Sequence, residues 1–367
     1  MKKHLAAALI PAAALLAACS ATAPTQSAAT YPGCDNTTDK GAPAPLFYSA
    51  RAGNTPNVRC LLDAGAAIDA ADEDGWTALI FAASAGRTDT ARLLLDRGAN
   101  VNISSPKGYT PLMYAANKGH TTTAHLLLER GAAVNATDKR RWPPLMFAAQ
   151  GGHTDTMRLL LDKGADVNAT EENGATALML AAQGGYTDAA RLLLDSGAKV
   201  NASEGRSWTP LMFAAQGGHT DAVRALLAKG ANVHATEEDR WTPLMIAAQN
   251  GHTDTARALL DKGAKVNATE NKGWTPLMLA AQHGHTDTVR ALLGKGANPN
   301  IAATATSGVT ALMVASSHGH ADTVRALLDK GANPNAADKD GDTALMRATN
   351  LGHTSIAQML RAAGATK

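Results

Sequence analysis

Hydrophobic positions recur along this chain at a fixed spacing. A leucine that follows alanine or proline returns every 33 residues, with one step of 35, at Leu46, Leu79, Leu112, Leu145, Leu178, Leu211, Leu244, Leu277, Leu312 and Leu345. Around each leucine, apolar residues fall at helical spacing in two short segments, which are separated by glycine and followed by a polar stretch. The pattern predicts ten copies of one helix-turn-helix unit, which can bury its apolar faces only against its neighbours.

Local signals in one central unit explain why both segments should be helical. Thr242 can cap the first helix, and Pro243 occupies a first-turn position that needs no N–H donor. Gly251 should end this helix in a left-handed conformation. Thr253 is expected to cap the second helix, and Gly263 to end it. We expect the polar stretch between units to form an extended loop or hairpin.

Each unit approximates D-x-x-G-W-T-P-L-M-x-A-A-x-x-G-H-T-D-x-x-R-x-L-L-x-x-G-A-x-V-N-A, which resembles the ankyrin repeat across residues 41–366. The resemblance implies an all-α solenoid, an ankyrin repeat stack of helix-turn-helix units with β-hairpin or loop fingers, and a repeat domain over residues 41–367. The end units depart from the pattern: Gly41-Ala42-Pro43 replaces the first finger, and Arg347 is polar where other units are apolar. Such polar ends are what an open stack needs for solubility.

The N-terminus carries targeting signals. Residues 1–18 combine a positive start with an apolar run too short to span a bilayer, which predicts a secretory signal peptide. The run ends in Leu16-Ala17-Ala18-Cys19, which resembles the bacterial lipobox. That resemblance implies lipidation of Cys19 and, because Ser20 follows, the periplasmic face of the outer membrane. Residues 19–40 are then a lipidated N-terminus and flexible tether.

An ordinary signal peptide is the alternative to a lipid anchor. Ala21-Thr22-Ala23 also resembles a plain cleavage site, and its use would discard Cys19 and give a soluble periplasmic or secreted protein. Without Lys2 and Lys3, basic and acidic residues are equal in number, so nucleic acid is not a favoured partner. Membrane contact is expected only through the N-terminal lipid.

Two cysteines remain after the proposed lipidation site. Cys34 precedes the repeats and Cys60 lies inside the first one. In an oxidising compartment we expect them to form a disulfide, with two free thiols as the alternative.

Histidine is the first candidate for chemistry, because seven histidines recur at one position of the repeat: His120, His153, His219, His252, His285, His320 and His353. Members about 10 Å apart cannot share one zinc ion, whose nitrogen ligands lie about 2.1 Å from it. The family resemblance implies a structural hydrogen bond for this position. We find no nucleophile elbow, Walker loop or zinc-ligand spacing, so we expect no enzyme activity, cofactor or metal.

Aromatic residues give the most specific functional signal. An aromatic residue precedes the Thr-Pro-Leu position in six units, as Trp76, Tyr109, Trp142, Trp208, Trp241 and Trp274. The resemblance implies that this finger position faces the concave side and contacts partners, where large aromatics are effective. Arg141 and Arg240 replace the glycine before two tryptophans. If φ is positive there, each replacement costs about 1 kcal/mol of stability, which suggests that these arginines have a function. Alternatively, the rings stack on neighbouring fingers and stiffen the array.

These features predict a non-catalytic protein–protein interaction scaffold, monomeric and anchored in the bacterial envelope. It would hold a protein or extended peptide in the concave groove through the eight finger residues, and could inhibit or protect that partner. One alternative is a glycan- or peptidoglycan-binding lipoprotein that stacks the aromatic residues on sugars. Another is a mechanical spacer. No residue identifies the partner.

Overall fold

In the computed structural model, residues 30–37, 45–305 and 307–366 are described. These residues contain 20 helices and no strand, which confirms the predicted all-α repeat architecture. The fingers carry only isolated β-bridges, such as Glu204 with Trp208. The predicted signal peptide and Cys19, with Gly41-Ala42-Pro43, lie outside the described residues. The chain divides into two compact units, one ending at Glu172 and one beginning at Asn173.

Each repeat contributes a first and a second helix. In the first unit, the first helices are α1 (Pro45–Ala52), α3 (Ala78–Ser84), α5 (Pro111–Asn117) and α7 (Pro144–Gln150), and the second helices are α2 (Thr55–Asp63), α4 (Thr88–Asp96), α6 (Thr121–Glu129) and α8 (Thr154–Asp162). In the second unit, the first helices are α9 (Ala177–Gln183), α11 (Pro210–Gln216), α13 (Pro243–Gln249), α15 (Pro276–Gln282), α17 (Ala311–Ser317) and α19 (Ala344–Asn350). Its second helices are α10 (Thr187–Asp195), α12 (Thr220–Ala228), α14 (Thr253–Asp261), α16 (Thr286–Gly294), α18 (Ala321–Leu328) and α20 (Thr354–Ala362).

Capping differs between the two helices of a repeat. Thr242 caps α13 as predicted, because its hydroxyl accepts a 3.2 Å hydrogen bond from Met245 N. The prediction that Thr253 caps α14 is wrong: His252 is the cap residue and makes no side-chain cap bond. The Thr253 hydroxyl instead lies 2.7 Å from that of Thr288 in the next repeat. It therefore links two second helices rather than closing the end of its own.

Asparagine side chains join consecutive repeats. Asn201 Nδ2 donates to Gly230 O at 3.2 Å, and its Oδ1 accepts from Asn232 N at 2.8 Å. We call this pair of bonds the asparagine clamp. The same clamp is made by Asn102, Asn135, Asn267, Asn300 and Asn335. Each clamp satisfies two backbone groups just beyond a helix C-terminus, where intrahelical partners are lacking.

The recurring histidines also bridge repeats. His252 Nε2 lies 3.0 Å from Gln216 O, and His285 Nε2 lies 3.0 Å from Gln249 O. Burial lowers the pKa of His120 and of His285, which favours the neutral ring. In the described ranges, no group of three His, Cys, Asp or Glu side chains could hold a metal ion.

Small and apolar residues form the core between first helices. Met245, Ala247 and Ala248 are completely buried, and the paired alanines let neighbouring helices approach closely. At the far end, Met346 is 39% exposed and Arg347 forms an ion pair with Asp338, so the last repeat presents a polar surface. None of the described helices is both long and apolar enough to cross a bilayer.

The chain entry is fastened to α2. Cys34 and Cys60 are joined by a disulfide with a Cα–Cα distance of 5.8 Å. Asn57 adds two bonds, since its Oδ1 accepts from Asp35 N at 2.9 Å and its Nδ2 donates to Asp35 O at 2.8 Å. Residues 30–37 therefore cover one side of the first repeat.

Candidate partner-binding site

Two fingers of the second unit are tight turns held by buried glutamates. Glu237 Oε1 accepts from Asp239 N at 2.8 Å and from Trp241 N at 3.1 Å, and Glu237 O accepts from Arg240 N at 2.9 Å. Glu270 holds Trp274 N in the same way at 3.0 Å. Glu237 and Glu270 are each only 7% exposed, so their carboxylates shape the turn rather than contact a ligand.

In each finger that the structure describes, the residue before the aromatic position has a left-handed backbone conformation. Arg141 and Arg240 both have φ of 66°, as their replacement of glycine suggested. Ser207, which also stands where other fingers have glycine, has φ of 69°. Some other fingers need glycine for space as well as for φ. A Cβ on Gly108 would come within 3.0 Å of Asp138 Cα in the next finger.

Two of the predicted contact residues are buried. Trp142 is 1% exposed and Trp208 is 7% exposed. Their rings pack on phenylalanines five positions later, at centroid distances of 5.3 Å to Phe147 and 5.2 Å to Phe213. The prediction that these two tryptophans offer open faces to a partner is therefore corrected, because the first helix of the same repeat covers them.

In the first unit, the remaining aromatic residues are half-buried and interlocked. Trp76 lies 5.1 Å from Phe81 of its own repeat and 4.4 Å from Tyr114 of the next. Tyr109 lies 5.7 Å from Tyr114 and 5.8 Å from Phe147. These contacts match the packing alternative, in which the aromatic residues stiffen the array.

The second unit contains two tryptophans of a different kind. Trp241 and Trp274 are half-buried, and neither makes a ring contact with another aromatic residue in the described part of the chain. The residues that stand five positions later are Ile246 and Leu279 instead of phenylalanine. We call Trp241 and Trp274 the tryptophan pair. They occupy the same position in successive repeats and retain exposed surface.

The two predicted arginines are both exposed, and Arg240 has a distinctive setting. It lines a surface cleft of about 280 Å³ together with His234 and Lys265, whereas Trp241 does not line this cleft. Arg240 thus lies at a cleft next to the Trp241 position, and its expected role in orienting a partner stays a prediction. His234 and Lys265 were missed by the sequence reasoning, although His234 stands where seven other repeats have asparagine.

Arg140 is a further residue that the sequence reasoning missed. Its guanidinium lies 4.7 Å from the Trp142 ring centroid, donates to Asp138 at 3.1 Å and lies 3.3 Å from the Tyr109 hydroxyl. Arg141 has no such partners and points to solvent. In this finger, the stacked and paired arginine is therefore Arg140.

Comparison with known proteins supports the repeat assignment. The family model described as "Ankyrin repeats (3 copies)" matches residues 15–105, 97–171, 145–237, 211–303 and 301–367. The chain resembles the crystal structure of the human ASB11 ankyrin repeat domain, with 26% sequence identity and a TM-score of 0.56. That match covers 60% of this chain and 98% of the ASB11 chain. None of the curated proteins compared with this chain matches it.

Proposed function

Since the chain belongs to the ankyrin repeat family, whose repeats generally act as protein–protein interaction modules, we propose that it is a non-catalytic scaffold that binds a protein or extended peptide. The tryptophan pair supplies the main contacts. The observation that carries this proposal is the contrast in burial: Trp142 and Trp208 are covered by phenylalanine, whereas Trp241 and Trp274 keep exposed surface without ring partners.

Half-exposed tryptophans are well suited to this role. A partner that covers them removes apolar surface from water, and tryptophan loses little side-chain entropy when it is fixed. Truncation of such anchors commonly costs 2 kcal/mol or more of binding free energy, which is about thirtyfold in Kd. Trp76 and Tyr109 contribute less, because their ring contacts already hold much of their surface.

The partner can be sought with three purified baits. They are the wild-type chain, a Trp241→Ala/Trp274→Ala variant, and a control with Arg257→Ala and Arg290→Ala. The control arginines lie on the second helices of the same repeats and pair with Asp254 and Asp287 in exposed positions. We expect the wild type and the control to retain one protein that the tryptophan variant loses, with circular dichroism showing that all three fold.

Affinity for the captured protein then provides the quantitative test. The tryptophan variant should bind at least tenfold more weakly than the wild type, and the arginine control should differ by less than about twofold. Equal capture and equal affinity for all three baits would refute the tryptophan pair as the contact surface.

We also propose that a lipid on Cys19 tethers this scaffold to the periplasmic face of the bacterial outer membrane, where it would inhibit or protect its partner as a monomer. The Leu16-Ala17-Ala18-Cys19 motif supports this address. Mass spectrometry of the mature N-terminus should find Cys19 modified by diacylglycerol, and Cys19→Ala should move the protein to the soluble fraction. An N-terminus produced by cleavage after Ala23 would show plain secretion instead.

A further inference from the structure

One repeat interface in the second unit lacks the asparagine clamp. Asn201 and Asn267 clamp their next repeats, but His234 occupies the equivalent position between them. Within the described residues, neither clamp bond from this position is formed, so Gly263 O and Lys265 N receive no side-chain partner there. A neutral imidazole also has one donor and one acceptor, but its two ring nitrogens point away from each other, whereas the asparagine amide carries both groups on one carbon.

A surface cleft of about 280 Å³ lies at this interface. Its lining includes His234, Arg240 and Lys265, with hydroxyl groups from Thr236 and Thr269 and an apolar wall that includes Val233. No carboxylate lines it. The nearest acids along the finger are already engaged, since Glu237 holds the turn and Asp239 pairs with Arg206. The cleft therefore collects positive charge that no described side chain neutralises.

Arg240 is held over this cleft by an unfavourable backbone conformation. Its φ of 66° favours glycine, which other fingers use. Its guanidinium makes no hydrogen bond or ion pair with a described residue. Arg141 has the same φ, but only Arg240 adds its charge to a cleft that also contains Lys265, and this charge indicates a ligand.

The first unit contains a matched position without the cleft's charge pattern. Arg141 has the same φ of 66° as Arg240. There the clamp is intact, because Asn135 donates to Gly164 O at 3.0 Å and accepts from Asp166 N at 2.9 Å. Asp166 also stands where the cleft has Lys265, so this repeat carries an acid in place of a base.

We propose that the cleft binds a carboxylate carried by the partner polypeptide, from a glutamate or aspartate side chain or a chain terminus. This inference rests on the proposed function, to which it adds the chemistry of the partner: an acidic segment that runs beside the tryptophan pair. Arg240 offers paired N–H donors that fit a carboxylate, and Lys265 adds a second positive charge. The cleft volume exceeds that of one carboxylate, so part of the carrying chain enters with it.

The test uses two short fluorescent peptides of the same length, one containing several glutamates and the other containing glutamines in their place. Fluorescence anisotropy at low salt measures their binding to the full-length protein. We expect the glutamate peptide to bind about tenfold more tightly than the glutamine peptide, as one charge-assisted contact allows. This preference should disappear in Arg240→Gly, and in His234→Asn, which restores the clamp and closes the cleft. Arg141→Gly should keep it.

Several results would overturn the proposal. They are an absence of preference in the wild type, a preference that survives both Arg240→Gly and His234→Asn, or an equal loss in Arg141→Gly. Inorganic phosphate serves as a competitor, and binding of phosphate without any preference between the peptides would show a free-anion site instead. Trp241→Ala/Trp274→Ala separates the two proposals, since it should weaken both peptides alike and leave their ratio unchanged.

Discussion

The ring centroids of Trp76 and Tyr114 lie 4.4 Å apart, although the two residues belong to successive repeats. Trp76 also contacts Phe81 within its own repeat, at 5.1 Å. One aromatic side chain thus joins two repeats of the first unit. The finger position that was expected to serve binding serves packing here. In the proposed function, only the tryptophans that lack an aromatic residue five positions later remain available for a partner.

Trp76→Ala should therefore destabilise the protein more than Trp274→Ala, although both tryptophans are half-buried. We expect a loss of about 2 kcal/mol for Trp76→Ala, because its ring contacts to two repeats are removed. Trp274→Ala should cost about 1 kcal/mol or less. Urea unfolding followed by circular dichroism measures both. Equal losses would mean that the ring contacts in the first unit contribute little.

Restoring the clamp should stabilise the second unit. His234→Asn adds one bond to Gly263 O and one from Lys265 N, for a gain of about 1 kcal/mol. The reciprocal change, Asn201→His, removes the bonds to Gly230 and Asn232 and should lose a similar amount. Denaturant midpoints of the two variants should shift in opposite directions. A shift in the same direction would contradict the clamp account.

Acid should weaken the repeat stack through its bridging histidines. Burial lowers the pKa of His120 and of His285 in the folded protein, so the unfolded chain binds more protons as pH falls below about 6.5. Stability is then fully present above that pH and is lost as pH falls towards the lowered folded pKa. The urea midpoint should be lower at about pH 5 than at about pH 7.5. In His120→Gln and His285→Gln that difference should shrink; an unchanged difference in both variants would exclude these two rings as its source.

The disulfide should fix the chain entry against α2. Unreduced, unfolded protein is expected to show no free thiol at Cys34 or Cys60. Cys60→Ser should raise hydrogen exchange in α1 and α2, since residues 30–37 would then be held by the Asn57 hydrogen bonds alone. For cysteines 26 positions apart, the entropy of loop closure in the unfolded chain predicts a loss of stability of about 3.5 kcal/mol. Finding two free thiols would show that the bond does not form.

Features that depend on local backbone chemistry were predictable from the sequence. The Thr242 cap and the positive φ of Gly251 follow from which side chains tolerate helix ends, and both are confirmed. The role of Thr253 was missed because its partner, Thr288, lies in the next repeat. A capping rule considers only the residues that follow in the same helix.

The site was harder to predict than the fold, because periodicity reveals what repeats share and the site depends on how one repeat differs. Trp142 and Trp241 look equivalent in the pattern, but only the first has a phenylalanine five positions later. That spacing was available in the sequence as a signal of burial. His234 was available too, as a single departure from a position otherwise filled by asparagine in the neighbouring repeats.

The clamp also has a consequence for how such a chain can change over generations. Each clamp joins a repeat only to the one that follows it, through the same pair of backbone groups. A gene rearrangement that deletes or duplicates one whole internal repeat would bring together surfaces that already fit. The length of the chain can therefore evolve in whole-repeat steps without a new interface. A substitution such as His234 stays with the one repeat that carries it.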